Sequence, residues 1–196
     1  MKNKINYIVS GFPRSGTSMM MQILRAGGMT IVYDKEIDKK RDKWIKKDYN
    51  PNPQGYFEKN FHLSKIDSFL KSVENKAFKI NPYVMRKLPI GEYKIIFMTR
   101  CESERKSSFN FSFGINKSIT SSKDKRDVKR EIPDLFIRDD LDILFLDYKE
   151  VVENPISEIS KIYEFLNINF NKKEAVKIIN PLLYRFVDDG KEVKKK

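Results

Sequence analysis

Short apolar runs alternate along the chain with stretches whose apolar residues recur at helical spacing. Tyr7 to Val9 is the first run, ending at Ser10-Gly11, and it predicts a buried strand. A loop rich in Gly and Pro follows, from Gly11 to Gly16. From Thr17 the period changes. Met20, Ile23, Leu24 and Gly27 fall on one helical face, and Gly27-Gly28 is the predicted stop. His62 to Val73 carries the same period through Leu63, Ile66, Phe69 and Leu70. The runs Ala77–Ile80, Lys94–Thr99 and Ile143–Leu146 predict three more strands. Glu102 to about Phe111 reads as a helix after the second of these. Asn154-Pro155 offers an N-cap and a proline at the first helical position, ahead of Ile159, Ile162, Tyr163 and Leu166. A last short helix is predicted from Asn171 to Asn180.

Polar stretches interrupt this alternation. Asp34 to Tyr49 is dense in charge of both signs and lacks an amphipathic stripe, so it predicts a solvated helix or a mobile cover. Asn50 to Gly55 is a turn cluster. Ile119 to Glu131 reads as a loop, and the Lys194–Lys196 tail as frayed. Residues 34–49 and 117–131 are the candidate lids. Neither an internal repeat nor a linker divides the chain, which predicts one domain over residues 1–196. Strands alternating with helices predict an α/β fold: a mainly parallel central sheet covered on both faces, in three α/β/α layers. Strand, glycine loop and helix within the first thirty residues are the opening of a P-loop NTPase-like domain.

Composition narrows the chemistry. Among 196 residues, 40% are hydrophobic and 34% charged, enough for one core and too apolar for a disordered chain. The one cysteine, Cys101, excludes an internal disulfide framework and a Cys-based metal site. The one histidine, His62, excludes His-rich metal motifs and is the sole residue able to complete a Ser-His-Asp triad. A net charge of +12 attracts anions: nucleic acid, a membrane face or a phosphorylated small molecule. No apolar run approaches the length of a membrane span. The expected location is the cytoplasm, with the apolar stretch at Tyr7–Val9 too short for a signal peptide.

Gly11-Phe12-Pro13-Arg14-Ser15-Gly16-Thr17-Ser18 has the spacing of a phosphate-binding loop, but Thr17 stands where the Walker pattern requires lysine. A phosphate cradle needs backbone N–H groups and a helix N-terminus, and these survive the change. Arg14 supplies a cation from within the loop, and its guanidinium can grip a phosphate or sulfate through two parallel hydrogen bonds. Pro13 to Ser18 resembles the 5′-phosphosulfate loop of PAPS-dependent sulfotransferases, in the variant with Arg common among bacterial members. Ile95 to Arg100 followed by Ser108 resembles the 3′-phosphate motif of that family: a strand, an arginine, and a serine eight residues on. At 1.5 Å per residue Ser108 lies about 12 Å further along the helix, which must therefore run beside the nucleotide. The segments Leu146–Pro155, Gly55–Glu58 and Asn180–Arg185 are similar to architectural stretches of the family.

The resemblance implies sulfuryl transfer from PAPS to a hydroxyl or amine of a small-molecule or glycan acceptor, leaving PAP, with no metal. It assigns Arg14, Ser15, Gly16, Thr17, Ser18, Arg100 and Ser108 to the nucleotide. The base is less determined. Asn81 occupies the place of the histidine that many members use. Glu58 and His62 are the candidates, four residues apart and on one face if the segment is helical; Glu36 and Asp38 are weaker ones. Three alternatives compete with this reading. Ile143–Asp147 is similar to a Walker B strand, as in a kinase using Mg-ATP. The basic surface suits a non-enzymatic module for nucleic acid or anionic lipid, although no recognition helix is evident. A PAP-binding protein without turnover is the third. The expected partners include no specific nucleic acid and no membrane span.

Overall fold

The computed structural model describes residues 4–42, 52–60, 62–113, 138–187 and 191–192. The central sheet has five strands in the order β2-β3-β1-β4-β5, all parallel: β1 (Asn6–Gly11), β2 (Ile31–Val32), β3 (Ala77–Lys79), β4 (Tyr93–Thr99) and β5 (Leu141–Asp147). Strand β1 lies in the middle, paired with β3 from Tyr7↔Ala77 and with β4 from Asn6↔Tyr93 to Gly11↔Met98. Its residues are buried from Asn6 to Ser10, as the unbroken apolar run requires of a strand covered on both faces.

Alternate residues of β1 and β4 feed two separate cores. Tyr7, Val9, Ile96 and Met98 pack against α1 (Thr17–Ala26), α6 (Tyr148–Glu153) and α7 (Pro155–Leu166). Ile8, Ile95 and Phe97 pack with Phe78 against α3 (Ile66–Ser72) and α4 (Pro82–Met85). This is the three-layer α/β/α arrangement expected from the sequence, with period 2 in the strands deciding which side chain enters which layer. Completing the described elements are α2 (Lys35–Asp42), α5 (Glu102–Phe113), α8 (Lys172–Lys177) and the antiparallel pair β6 (Phe186–Val187) and β7 (Lys191–Glu192).

Several local expectations need correction. The helix predicted from His62 begins as a 3-10 turn at Leu63–Lys65, and Leu63 faces solvent while Ile66 and Leu70 are buried. In α7, Ile159, Ile162 and Leu166 are buried, but Tyr163 is exposed, beyond the edge of the apolar stripe. Asn154 precedes Pro155 but its side chain does not cap α7; its Nδ2 donates to Glu150 Oε2 at 2.9 Å instead. Elements β2, α4, α6 and the β6–β7 pair were not predicted. The charged stretch from Asp34 does form a helix, α2, with Glu36 and Lys39 paired at its surface. Residues 43–49, the candidate lid 117–131 and the lysine tail lie outside the described residues. No helix among the described residues is long and apolar enough to cross a membrane.

Candidate active site

Parallel strands end on one side of the sheet, and the candidate chemistry collects there. Gly11 closes β1, Lys79 closes β3, Arg100 follows β4 and Tyr148 follows β5. All four line one cavity, together with Arg14, Gly16, Thr17 and Ser18 of the glycine loop, Glu58, and Ser108 of α5.

The glycine loop delivers α1 to this cavity end-on. Gly16 is the N-cap residue, in the left-handed region at φ 97°, and no side chain caps the helix. A Cβ there would come within 2.3 Å of Tyr148 Cδ2, so both the backbone angle and the neighbouring ring demand glycine. The first turn of α1 has no acidic residue, and no acceptor among the described residues takes the N–H groups of Gly16, Thr17 or Ser18. The helix start is therefore suited to an anion. Arg14 is itself left-handed, at φ 70°. Its Nε and Nη2 both donate to Ser108 Oγ at 3.0 Å, which brings together two residues 94 positions apart that the sequence assigned to opposite ends of one nucleotide.

Two members of the loop differ from expectation. The Ser15 N–H donates to Phe12 O at 3.1 Å, and its hydroxyl is buried without a partner among the described residues, outside the cavity lining. The Ser18 hydroxyl donates to Tyr56 O at 3.2 Å and accepts from Lys79 Nζ at 3.3 Å. The Ser18 hydroxyl is thus already engaged by the protein, which leaves its backbone N–H for a ligand.

Arg100 is buried with Glu104, their side chains 6% and 7% exposed, and its Nε donates to Glu104 Oε2 at 2.8 Å. Nη2 donates to Phe186 O at 3.0 Å and Nη1 to Arg14 O at 3.4 Å. The guanidinium carbon lies 4.4 Å from the centre of the Tyr148 ring and 5.3 Å from that of Tyr184. Tyr184 donates its hydroxyl to Glu104 Oε1 at 2.9 Å. Burial first, then this hydrogen bond and the charge of Glu104, push the Tyr184 hydroxyl well above the ordinary tyrosine range, so it remains a donor. The Arg100–Glu104 ion pair thus lies inside the protein, and Arg100 also holds the chain at Phe186 through its carbonyl.

The candidate bases separate. Glu58 lines the cavity, and its Oε1 lies 2.9 Å from Lys79 Nζ. Lys79 is buried, and it also donates to Tyr56 O at 2.6 Å. His62 is exposed and outside the cavity lining. The residues described between Glu58 and His62 are not helical, so four positions do not bring the two side chains onto one face. Of the weaker candidates, Glu36 is exposed beside Lys39 at 2.7 Å, and Asp38 is occupied by backbone N–H groups. Asn81 lines the cavity, but its Oδ1 accepts the Tyr83 N–H at 2.9 Å as the cap of α4.

Asp147, the Walker B candidate, does not line the cavity. It caps α6 through Lys149 N at 2.9 Å and accepts from Thr99 Oγ1 at 3.3 Å. Among the described residues no group of three or more His, Cys, Asp or Glu is placed to hold a metal ion. The sequence reading missed Lys79, Tyr148 and Tyr184 as parts of the site. A lysine closing the apolar strand Ala77-Phe78 was the available signal for the first; the tyrosines gave none.

Residues 127–191 match the sulfotransferase domain family. The crystal structure of mouse sulfotransferase SULT7A1 complexed with PAP has a similar fold, with a TM-score of 0.50 and 16% sequence identity over 88% of this chain and 61% of the mouse chain. Retinol dehydratase in complex with androsterone and inactive cofactor PAP matches more loosely, with a TM-score of 0.43 and 15% identity over 92% of this chain and 64% of that one. The chain thus spans less than two thirds of the length of either. No protein of curated function matches the sequence.

Proposed function

We propose that this chain is a sulfotransferase that transfers a sulfuryl group from PAPS to a hydroxyl or amine of a small-molecule or glycan acceptor, leaving PAP, a reading supported by the match of residues 127–191 and by the fold. The observation that carries the proposal is the Arg14–Ser108 contact at the uncapped start of α1. One bonded pair joins the loop suited to a 5′-phosphosulfate with the helix suited to a 3′-phosphate. Arg14, Lys79, Arg100 and Arg185 line the cavity with Glu58, a strongly cationic enclosure that fits a nucleotide with two phosphate positions.

The roles follow from the donors. Arg14 and the N–H groups of Gly16, Thr17 and Ser18 hold the 5′-phosphate and stabilise the negative charge that collects on it as the sulfur–oxygen bond breaks. Arg100 and Ser108 hold the 3′-phosphate. Glu58 takes the acceptor proton as the new bond to sulfur forms, and Lys79 keeps that carboxylate at the cavity wall. PAPS supplies the activated sulfuryl group.

The test is titration calorimetry with PAP, ADP and ATP, each with and without Mg²⁺. PAP is expected to bind without Mg²⁺ and more tightly than ADP. Tight Mg-ATP binding with no measurable PAP affinity would replace this reading with a nucleotide kinase.

A further inference from the structure

The segment Gly55–Glu58 is held more completely than a connecting loop needs. Gly55 N–H donates to Asn52 O at 2.9 Å, and Gly55 O accepts from Gln22 Nε2 of α1 at 3.2 Å. Tyr56 O accepts from Ser18 of α1 and from Lys79 of β3. Glu58 O accepts from the Asp34 N–H at 2.8 Å. The three consecutive N–H groups of Tyr56, Phe57 and Glu58 all donate to one carboxylate, Asp38 of α2: the first two to Oδ2 at 3.0 and 2.8 Å, the third to Oδ1 at 3.0 Å.

The backbone held in this way is strained. Phe57, a non-glycine residue, sits at φ 58°, and Gly55 at φ 107°. Such conformations persist where the surroundings over-determine them, and they gather where a side chain must be aimed. Here the side chain that leaves the turn is Glu58, and it meets the buried Lys79 across 2.9 Å. Phe57 anchors the turn from below, 1% exposed and edge-on to Tyr33 at 5.1 Å.

We infer that Asp38 is the positioning residue of the reaction: it fixes the strained turn that holds Glu58 against Lys79 at the cavity wall. Asp38 does not line the cavity and acts only through the backbone of Tyr56, Phe57 and Glu58. Its contact with three successive N–H groups forms a concave nest with an aspartate in the place of an anionic ligand. The catalytic part of this inference rests on the proposed role of Glu58.

The variant Asp38→Asn keeps the size of the side chain and turns an N–H₂ group toward donors that need an acceptor. Three readouts follow. Amide hydrogen exchange at Tyr56, Phe57 and Glu58 is expected to accelerate at least about 100-fold, while exchange in β1 and β4 holds. Lys79, shielded from acetylation by a water-soluble amine-reactive ester in the native protein, is expected to become reactive. PAP affinity, measured by calorimetry, is expected to change less than about threefold, because the glycine loop is untouched. Unaltered exchange at these three amides together with an unaltered Lys79 would overturn the inference.

A double-variant cycle separates this inference from the reading beneath it. With water as acceptor, sulfate release from PAPS is expected to fall about 100-fold in Asp38→Asn, the effect of misplacing a reacting group by about 1 Å. Asp38→Asn/Glu58→Gln is expected to be no slower than Glu58→Gln alone, since Asp38 has nothing left to aim. Multiplying losses would sink the positioning role and leave Glu58 as base. A native rate in Glu58→Gln would sink the base itself. Asp38→Ala, which removes the carboxylate without placing a new donor, checks that the result does not depend on the amide.

Discussion

The glycine loop and the Gly55–Glu58 turn both contribute residues to the cavity lining and touch through Ser18 and Tyr56, and each contains a left-handed residue other than glycine: Arg14 at φ 70° and Phe57 at φ 58°. They treat their backbone donors in opposite ways. In the glycine loop the N–H groups of Gly16, Thr17 and Ser18 have no acceptor among the described residues, and the helix behind them has no side-chain cap. In the turn, the N–H groups of Gly55, Tyr56, Phe57 and Glu58 are all taken, three of them by Asp38. The same kind of local strain serves two ends. One loop leaves its donors without an acceptor among the described residues, and the other gives three of them to one carboxylate. Where the donors of a strained loop go is a better guide to its role than the strain itself.

This division of labour predicts that the two loops separate binding from transfer. The largest effect is expected for Glu58→Gln: sulfate release from PAPS falls about 10²–10⁴-fold, the usual worth of a positioned general base, while calorimetric PAP affinity holds. If PAP affinity falls with the rate, the turn belongs to the nucleotide site and the comparison fails. Arg14→Ala is expected to lower the rate by about 10²–10³-fold, as for the loss of one donor to a developing charge, and here PAP affinity falls with it.

Arg100 sharpens the same contrast. Arg100→Ala is expected to weaken PAP binding by about 1.5–3 kcal/mol, the worth of a charge-assisted hydrogen bond. It is also expected to lower the melting temperature, because Glu104 is left buried without its cation. Arg14 Nε and Nη2 donate to the Ser108 hydroxyl, so Arg14→Ala leaves no buried carboxylate at that contact, and its melting shift is expected to be smaller than that of Arg100→Ala. Equal melting shifts in the two variants would show that the loop arginine is as structural as the buried one.

The sheet and its helices were legible where one face of an element carries a continuous apolar pattern. Strands β1, β3 and β4, the face of α1 and the stripe Ile159-Ile162-Leu166 all answer to burial, whereas β5, predicted as a buried strand, lies at the sheet edge with Leu141 and Leu146 buried and Phe145 exposed. Short elements answer to partners far away in sequence, and they were missed. Strand β2 is two residues long and exists through its pairing with β3, and α6 starts where Asp147 caps it. The site divides similarly. The spacing of the glycine loop gave Arg14 and Gly16, the resemblance to a 3′-phosphate motif gave Arg100 and Ser108, and all four line one cavity. His62 was misjudged by assuming helix where the chain is not helical. Asp38 was considered as a base, and its contact with three N–H groups from 18 to 20 residues further on has no local signature.

The smallest predicted effect lies away from both loops and serves to calibrate them. Arg138 pairs with Asp140, its Nε donating to Oδ1 at 2.9 Å, and Gly91 N–H donates to Oδ2 at 3.1 Å. The Arg138 hydrogen bond, foremost, holds the Asp140 carboxyl below the usual aspartate range, against the opposing effect of burial. A carboxyl whose folded pKa is depressed contributes stability above its unfolded value, and loses it as the pH falls through the lower folded value. Asp140→Asn should therefore reduce stability slightly at neutral pH and flatten the acid limb below about pH 4. Each side chain of the pair is 21% exposed, so solvent screens part of the interaction and the change should shrink further in high salt. Because it lies outside the cavity lining, sulfate release and PAP binding should be unchanged at neutral pH. A rate that follows Asp140 would mean that stability, and not the aiming of Glu58, explains losses seen on mutating the turn.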